Sequence, residues 1–138
     1  MILLDTDTLS LFNRGDPRVR QRIQAAADTV GTTIVTRIEV LRARFDFLVK
    51  AANGDQLQRA QHWLDQSERD LRSFPIEAID AAAANEFDRL SQLKGLRGVG
   101  RPDLLIASIA LARRATLITR NVRHFRLIPN LKVENWAD

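Results

Sequence analysis

The sequence contains no cysteine among its 138 residues. That excludes a disulfide framework and a thiolate metal site. It has only two histidines, His62 and His124, far apart in the chain, so a zinc centre is not expected. Any bound metal would need oxygen ligands, the set that suits magnesium or manganese. No apolar run approaches a membrane span, and no basic N-terminal segment leads into a long apolar one. The expectation is a soluble, cytoplasmic protein with no membrane partner. Internal repeats, linkers and low-complexity segments are also missing, so residues 1–138 are expected to form a single domain. Lysine plus arginine number 21 against 17 acids, a net charge of +4, and most of the cations are arginine. That excess admits a nucleic-acid partner without requiring one.

What is present is a chain of short apolar runs alternating with helical patterns. Met1 to Leu4 is apolar on both faces, as a central parallel strand would be. The cap formers Asp5 to Thr8 follow, with a helix beginning near Leu9. Asp16-Pro17 reads as the cap and first residue of the next helix. Thr32 to Val35 reads as a second strand. Thr36-Arg-Ile-Glu39 matches a capping box, opening a helix whose stripe Ile38, Leu41, Phe45, Leu48, Val49 and Ala52 is expected to face the core. Asn53 to Asp55 stops it, and helices are expected over about 56–67 and 80–93. Phe74 to Ile76 is an extended link between them. The most informative stretch runs from Val99 to Phe125: a glycine- and proline-marked turn, a helix apolar nearly all round, a buried strand at Ala115–Ile118 and a polar exit. Leu131 to Trp136 alternates as an edge strand. Strands alternating with helices predict an α/β protein, a three-layer α/β/α fold around a mostly parallel sheet.

Ligands of such sheets bind beyond the carboxyl ends of the strands. Asp5 follows the first strand, Glu39 the second, and Asn121 the strand at 115–118, while Asp103 opens the buried helix. If the strands are parallel neighbours, all four emerge at one edge. Each alone also reads as a cap or turn residue. Together, three mutually repelling carboxylates form a site that a divalent cation would relieve.

The segments LLDTDTL, TRIEVLRARF, GRPDLLIASIALARRATLITRNVRHF and LIPNLKVENW, in that order, resemble PIN-domain ribonucleases, in particular VapC-type toxins of toxin–antitoxin pairs. The resemblance runs end to end and is weakest from Ala51 to Ser73. It implies an endoribonuclease that uses Mg²⁺, with Mn²⁺ as a substitute, to hydrolyse RNA phosphodiester bonds. By motif, Asp5, Glu39 and Asp103 take the metal-binding positions. Asn121 stands where the superfamily often has Asp. Thr6, Asp7 and Thr119 take supporting polar positions. The resemblance further implies a cognate antitoxin protein and a homodimer. Arg14, Arg97, Arg101, Arg120 and Arg123 are candidates for binding RNA phosphates around the mouth of the site. His124 reads as a loop histidine. Two other readings remain: a haloacid-dehalogenase-like phosphatase with Asp5 as nucleophile, and a catalytically silent module that only binds RNA or protein.

Overall fold

A computed structural model describes residues 1–138. Five parallel strands form the centre: β1 (Ile2–Leu4), β2 (Val30–Thr33), β3 (Ile76–Glu77), β4 (Thr116–Ile118) and β5 (Lys132–Glu134), in the order β3-β2-β1-β4-β5. β1 lies in the middle, with Leu3 opposite Gly31 on one side and Leu117 on the other.

Seven helices connect them: α1 (Thr6–Asn13), α2 (Pro17–Ala25), α3 (Ile34–Val49), α4 (Gly54–Arg72), α5 (Ala81–Ser91), α6 (Arg101–Ala112) and α7 (Val122–Phe125). Successive strand residues point to opposite faces. Leu3 and Leu117 therefore pack with Ala83, Leu90, Ile106 and Ile109 of α5 and α6, while Leu4 and Ile118 pack with Leu9, Val40 and Leu71 of α1, α3 and α4. All four strand side chains are fully buried, which is why these short runs carry no polar alternation. The result is the expected α/β/α arrangement. No helix is long and apolar enough to cross a membrane.

Gly31 is required by a close approach. A Cβ there would sit 2.7 Å from the Pro75 carbonyl oxygen, which instead accepts a 3.0 Å hydrogen bond from Thr32 N. That contact draws the extended link after Phe74 into the sheet as β3.

Several expectations are corrected. β2 ends at Thr33, and Ile34 and Val35 already belong to α3. The cap is Thr33, whose hydroxyl accepts from Thr36 N at 3.2 Å, so Thr36 and Glu39 do not form a capping box. The α3 stripe faces the core only in part: Leu41 packs against the Leu4 and Ile118 cluster, but Ile38, Phe45 and Val49 are exposed by half or more, and the buried residues of α3 are Val35, Thr36 and Val40. Asn53 starts a helix as well as following one, its Oδ1 accepting from Gln56 N, and α4 extends to Arg72. The polar exit after β4 contains a further turn of helix, α7.

Candidate active site

Parallel pairing puts the carboxyl ends of β1, β2 and β4 side by side, and the candidate residues collect there. Asp5 directly follows β1. Its backbone N–H donates to Ile118 O at 3.0 Å, joining the ends of β1 and β4, and its Oδ1 accepts from Thr8 N at 2.9 Å, capping α1. The cap reading of Asp5 is thus correct, and it leaves the second carboxylate oxygen for other work. Asp5 is only 6% exposed. Burial raises its pKa above the ordinary aspartate value, the charge of Asp7 adds to the rise, and hydrogen bonds from Thr119 and Thr8 oppose it.

Glu39 lies one turn into α3, half-buried. Thr6 Oγ1 lies 2.6 Å from its Oε1 and 3.1 Å from Thr36 Oγ1. Asp103 is the third residue of α6, after Arg101 and Pro102. The helix N-cap is Gly100, which has no side chain to satisfy the first amides, so the partial positive charge of the helix start is left to Asp103. The Asp103 pKa is nevertheless raised, first by burial, then by the charges of Asp5 and Glu39, with Asp7 contributing; only His124 opposes it. Asp5, Glu39 and Asp103 thus lie close enough for their charges to act on one another.

Asn121 follows β4 and caps α7 without a side-chain bond to that helix. Its backbone N–H donates to Thr119 Oγ1 at 2.9 Å, and its Nδ2 lies 3.0 Å from His124 Nδ1. Thr119 is fully buried beneath them. The sequence marks Thr36 only as half of a capping box and His124 only as a loop residue near the site along the chain; it does not give their contacts with Thr6 and Asn121. Both follow from the boundaries of α3 and α7, which periodicity alone does not locate.

The arginines divide. Arg120 and Arg123 flank Asn121 and are exposed, Arg120 loosely paired with Asp138 at 3.7 Å. Arg97 and Arg101 lead into α6 on the same edge, Arg101 lying over the Phe87 ring at 5.1 Å. Arg14 is set apart: it caps the far end of α1, about 12 Å of helix from Asp5. There it lines a groove with Asn13, Arg44 and Trp63 rather than the mouth of the acidic site.

The donor set suits a hard divalent cation: carboxylate oxygens, no thiol, and repulsion a cation would remove. The side chains are not drawn up around a common point, however, and no three acids or histidines stand at coordinating separation. Residue type and charge fit such an ion; closing around it would require the side chains to move.

Fold and acidic edge together define a class of α/β protein built around a shared carboxylate cluster. A family model for the PIN domain matches residues 2–130, and the chain belongs to that family. Among curated relatives, Ribonuclease VapC2 of Rickettsia felis is 45% identical over 78 residues, covering 52% of this chain and 57% of that protein. Ribonuclease VapC1 of Haemophilus influenzae (strain R2866) is 28% identical over 138 residues, covering 98% and 97%. Among solved structures, VapBC2 from Rickettsia felis bound to a DNA fragment from their promoter matches with a TM-score of 0.79 at 26% identity, covering 99% of both chains. VapBC-1 from nontypeable Haemophilus influenzae matches in fold with a TM-score of 0.81 at 21% identity, covering all of both chains. Neither the phosphatase reading nor the silent-module reading gains support from these matches.

Proposed function

We propose that this chain is an endoribonuclease that hydrolyses RNA phosphodiester bonds and acts as the toxin of a toxin–antitoxin pair. The observation that carries the reading is the placement of Asp5, Glu39 and Asp103 at the carboxyl edge of the parallel strands β1, β2 and β4, in a PIN-domain chain with relatives named ribonucleases. Mg²⁺, or Mn²⁺ in its place, would be held by Asp5, Glu39 and Asp103. Such an ion lowers the pKa of a bound water and offsets charge on the phosphate oxygens.

The protein's own residues do the rest. Thr6 fixes the Glu39 carboxylate, while Thr8 N and Thr119 fix Asp5. Asp103 or Asp5, each with its pKa raised by burial, is the carboxylate suited to orient the attacking water or accept its proton. Hydrolysis then forms a bond from the water oxygen to phosphorus and breaks the phosphorus–oxygen bond to the departing strand, whose oxygen takes up a proton from solvent. Asn121 supplies a neutral amide beside these acids, and Arg97, Arg101, Arg120 and Arg123 provide cations for the RNA phosphates on either side.

The partners in this reading are RNA, a cognate antitoxin and a second copy of the chain, all in the cytoplasm. The exposed stripe Ile38, Phe45 and Val49 on α3 supports a protein partner, since a helix face this apolar rarely stays in water. The test is incubation of the purified protein with single-stranded RNA, with RNA plus chelator, and with a phosphate monoester. Internal RNA cleavage that chelator stops is the expected outcome. Release of phosphate from the monoester with RNA left intact would overturn the reading.

A further inference from the structure

Far from the acids, at the opposite end of α6, lies a cavity of about 530 Å³ that catalysis at the sheet edge does not use. Arg114 is about 16 Å from Asp103 along the helix axis. The floor is apolar, formed in part by Ala110 and Leu111 at the end of α6, and the rim is charged: Arg89, Arg114 and Lys132 against the single acid Glu86. Glu86 is already engaged by Arg89 at 2.6 Å. Arg114 and Lys132 pair with no acid anywhere in the structure.

A second observation falls on the same cavity. Only two non-glycine residues in the chain have positive φ, Arg114 at 51° and Asn130 at 67°, and both line it. Asn adopts this conformation readily, but arginine does not. Arg114 stands just past the end of α6, where the backbone turns back and Ala115 N donates to Ala110 O at 2.9 Å. Glycine is the residue this turn favours. Arginine here carries a backbone conformation that glycine adopts more easily, and its exposed guanidinium has no acidic partner.

We propose that this cavity is an anion site that takes a phosphate group carried on a nucleotide, with Arg114 and Lys132 as its principal ligands. Two unpaired cations match a phosphate dianion, and a guanidinium can grip two of its oxygens at once. The apolar floor gives a flat base or sugar a surface to lie on, with the Asn130 amide at the rim as a further polar group. The volume falls within the roughly 300–1,000 Å³ of small-ligand sites. The phosphate could belong to a free nucleotide or to an RNA strand, and the two sources are separable by experiment.

The test follows backbone amide resonances of the full chain by NMR, in chelator. Adenosine monophosphate, a short RNA oligomer and an oligoglutamate peptide are each titrated in. Shifts at Arg114, Ala115 and Lys132 with the mononucleotide support the site and a free nucleotide as its source; shifts with the oligomer alone support the site and an RNA strand. Shifts with oligoglutamate alone, or with none of the three, overturn it. Arg114→Gly should weaken binding about tenfold, as loss of one charge-assisted contact does, while melting no lower than the parent. Lys132→Ala should weaken it as well. Undiminished binding in Arg114→Gly would contradict the proposal.

Discussion

Thr6 Oγ1 lies 2.6 Å from Glu39 Oε1, so the first residue of α1 holds an acid on α3 that is 33 positions away in sequence. The bond crosses between the ends of β1 and β2 and sets the direction in which Glu39 presents its other oxygen. Groups that orient a ligand in this way matter to metal affinity although they never touch the ion. Thr6→Val keeps the shape and removes the hydroxyl. RNA cleavage should fall by about 10–100-fold, with the melting temperature changed little. Unchanged cleavage in a metal-titrated assay would show that Glu39 needs no such support.

Asp103 gives a pH-dependent prediction for the metal-free protein. Its folded pKa is raised by burial and by the charges of Asp5 and Glu39. Below about pH 4, the ordinary aspartate range, it is protonated folded or unfolded and contributes no difference. As pH rises through the folded value, the folded state must give up that proton against burial and repulsion, so stability is lost. Asp103→Asn has no proton to lose. In chelator its melting temperature should match the parent at low pH and exceed it increasingly toward neutrality. A variant less stable than the parent at neutral pH would make Asp103 a structural cap instead.

Much of this arrangement was legible in the sequence, for identifiable reasons. The apolar runs holding Leu3, Leu4, Leu117 and Ile118 have one simple solution, a strand buried on both faces. Asp16-Pro17 starts α2 as read, with Asp16 Oδ1 accepting from Arg18 N and Val19 N. Other features were out of reach. The threonines at 32, 33 and 36 all form caps equally well, and only the pairing of β2 with β3 decides that Thr33 is the one used. The spacing of Ile38, Phe45 and Val49 says that they share a face of α3, but periodicity cannot say whether anything covers it. The proximity of His124 to the acids depends on α7, a helix of four residues with too little pattern to detect.

The exposed face of α3 makes its own prediction. Phe45 is 59% exposed, so Phe45→Glu should leave the melting temperature nearly unchanged. In the proposed homodimer the same change should shift the protein to monomer by light scattering. A variant that remains dimeric would move the contact to another surface.

Asn121 stands at the acidic edge without a charge. A carboxylate there would join the repulsive cluster, destabilising the metal-free protein and strengthening cation binding. Asn121→Asp should bind Mn²⁺ more tightly, by on the order of 1–2 kcal/mol for an added, partly screened charge. It should also melt lower in chelator. Isothermal titration of both proteins decides this, and equal affinities would place the Asn121 side chain outside the metal site.

The central claim is that Asp5, Glu39 and Asp103 form one metal-dependent centre for cutting RNA. Its most direct test is the initial rate of cleavage of a single-stranded RNA, followed from chelator through rising Mn²⁺, for the parent protein and Asp103→Asn side by side. The account predicts no cleavage in chelator, a rate that rises and saturates with Mn²⁺ for the parent, and background at every concentration for the variant. Cleavage that persists in chelator, or an Asn variant that cuts as fast as the parent, would contradict it.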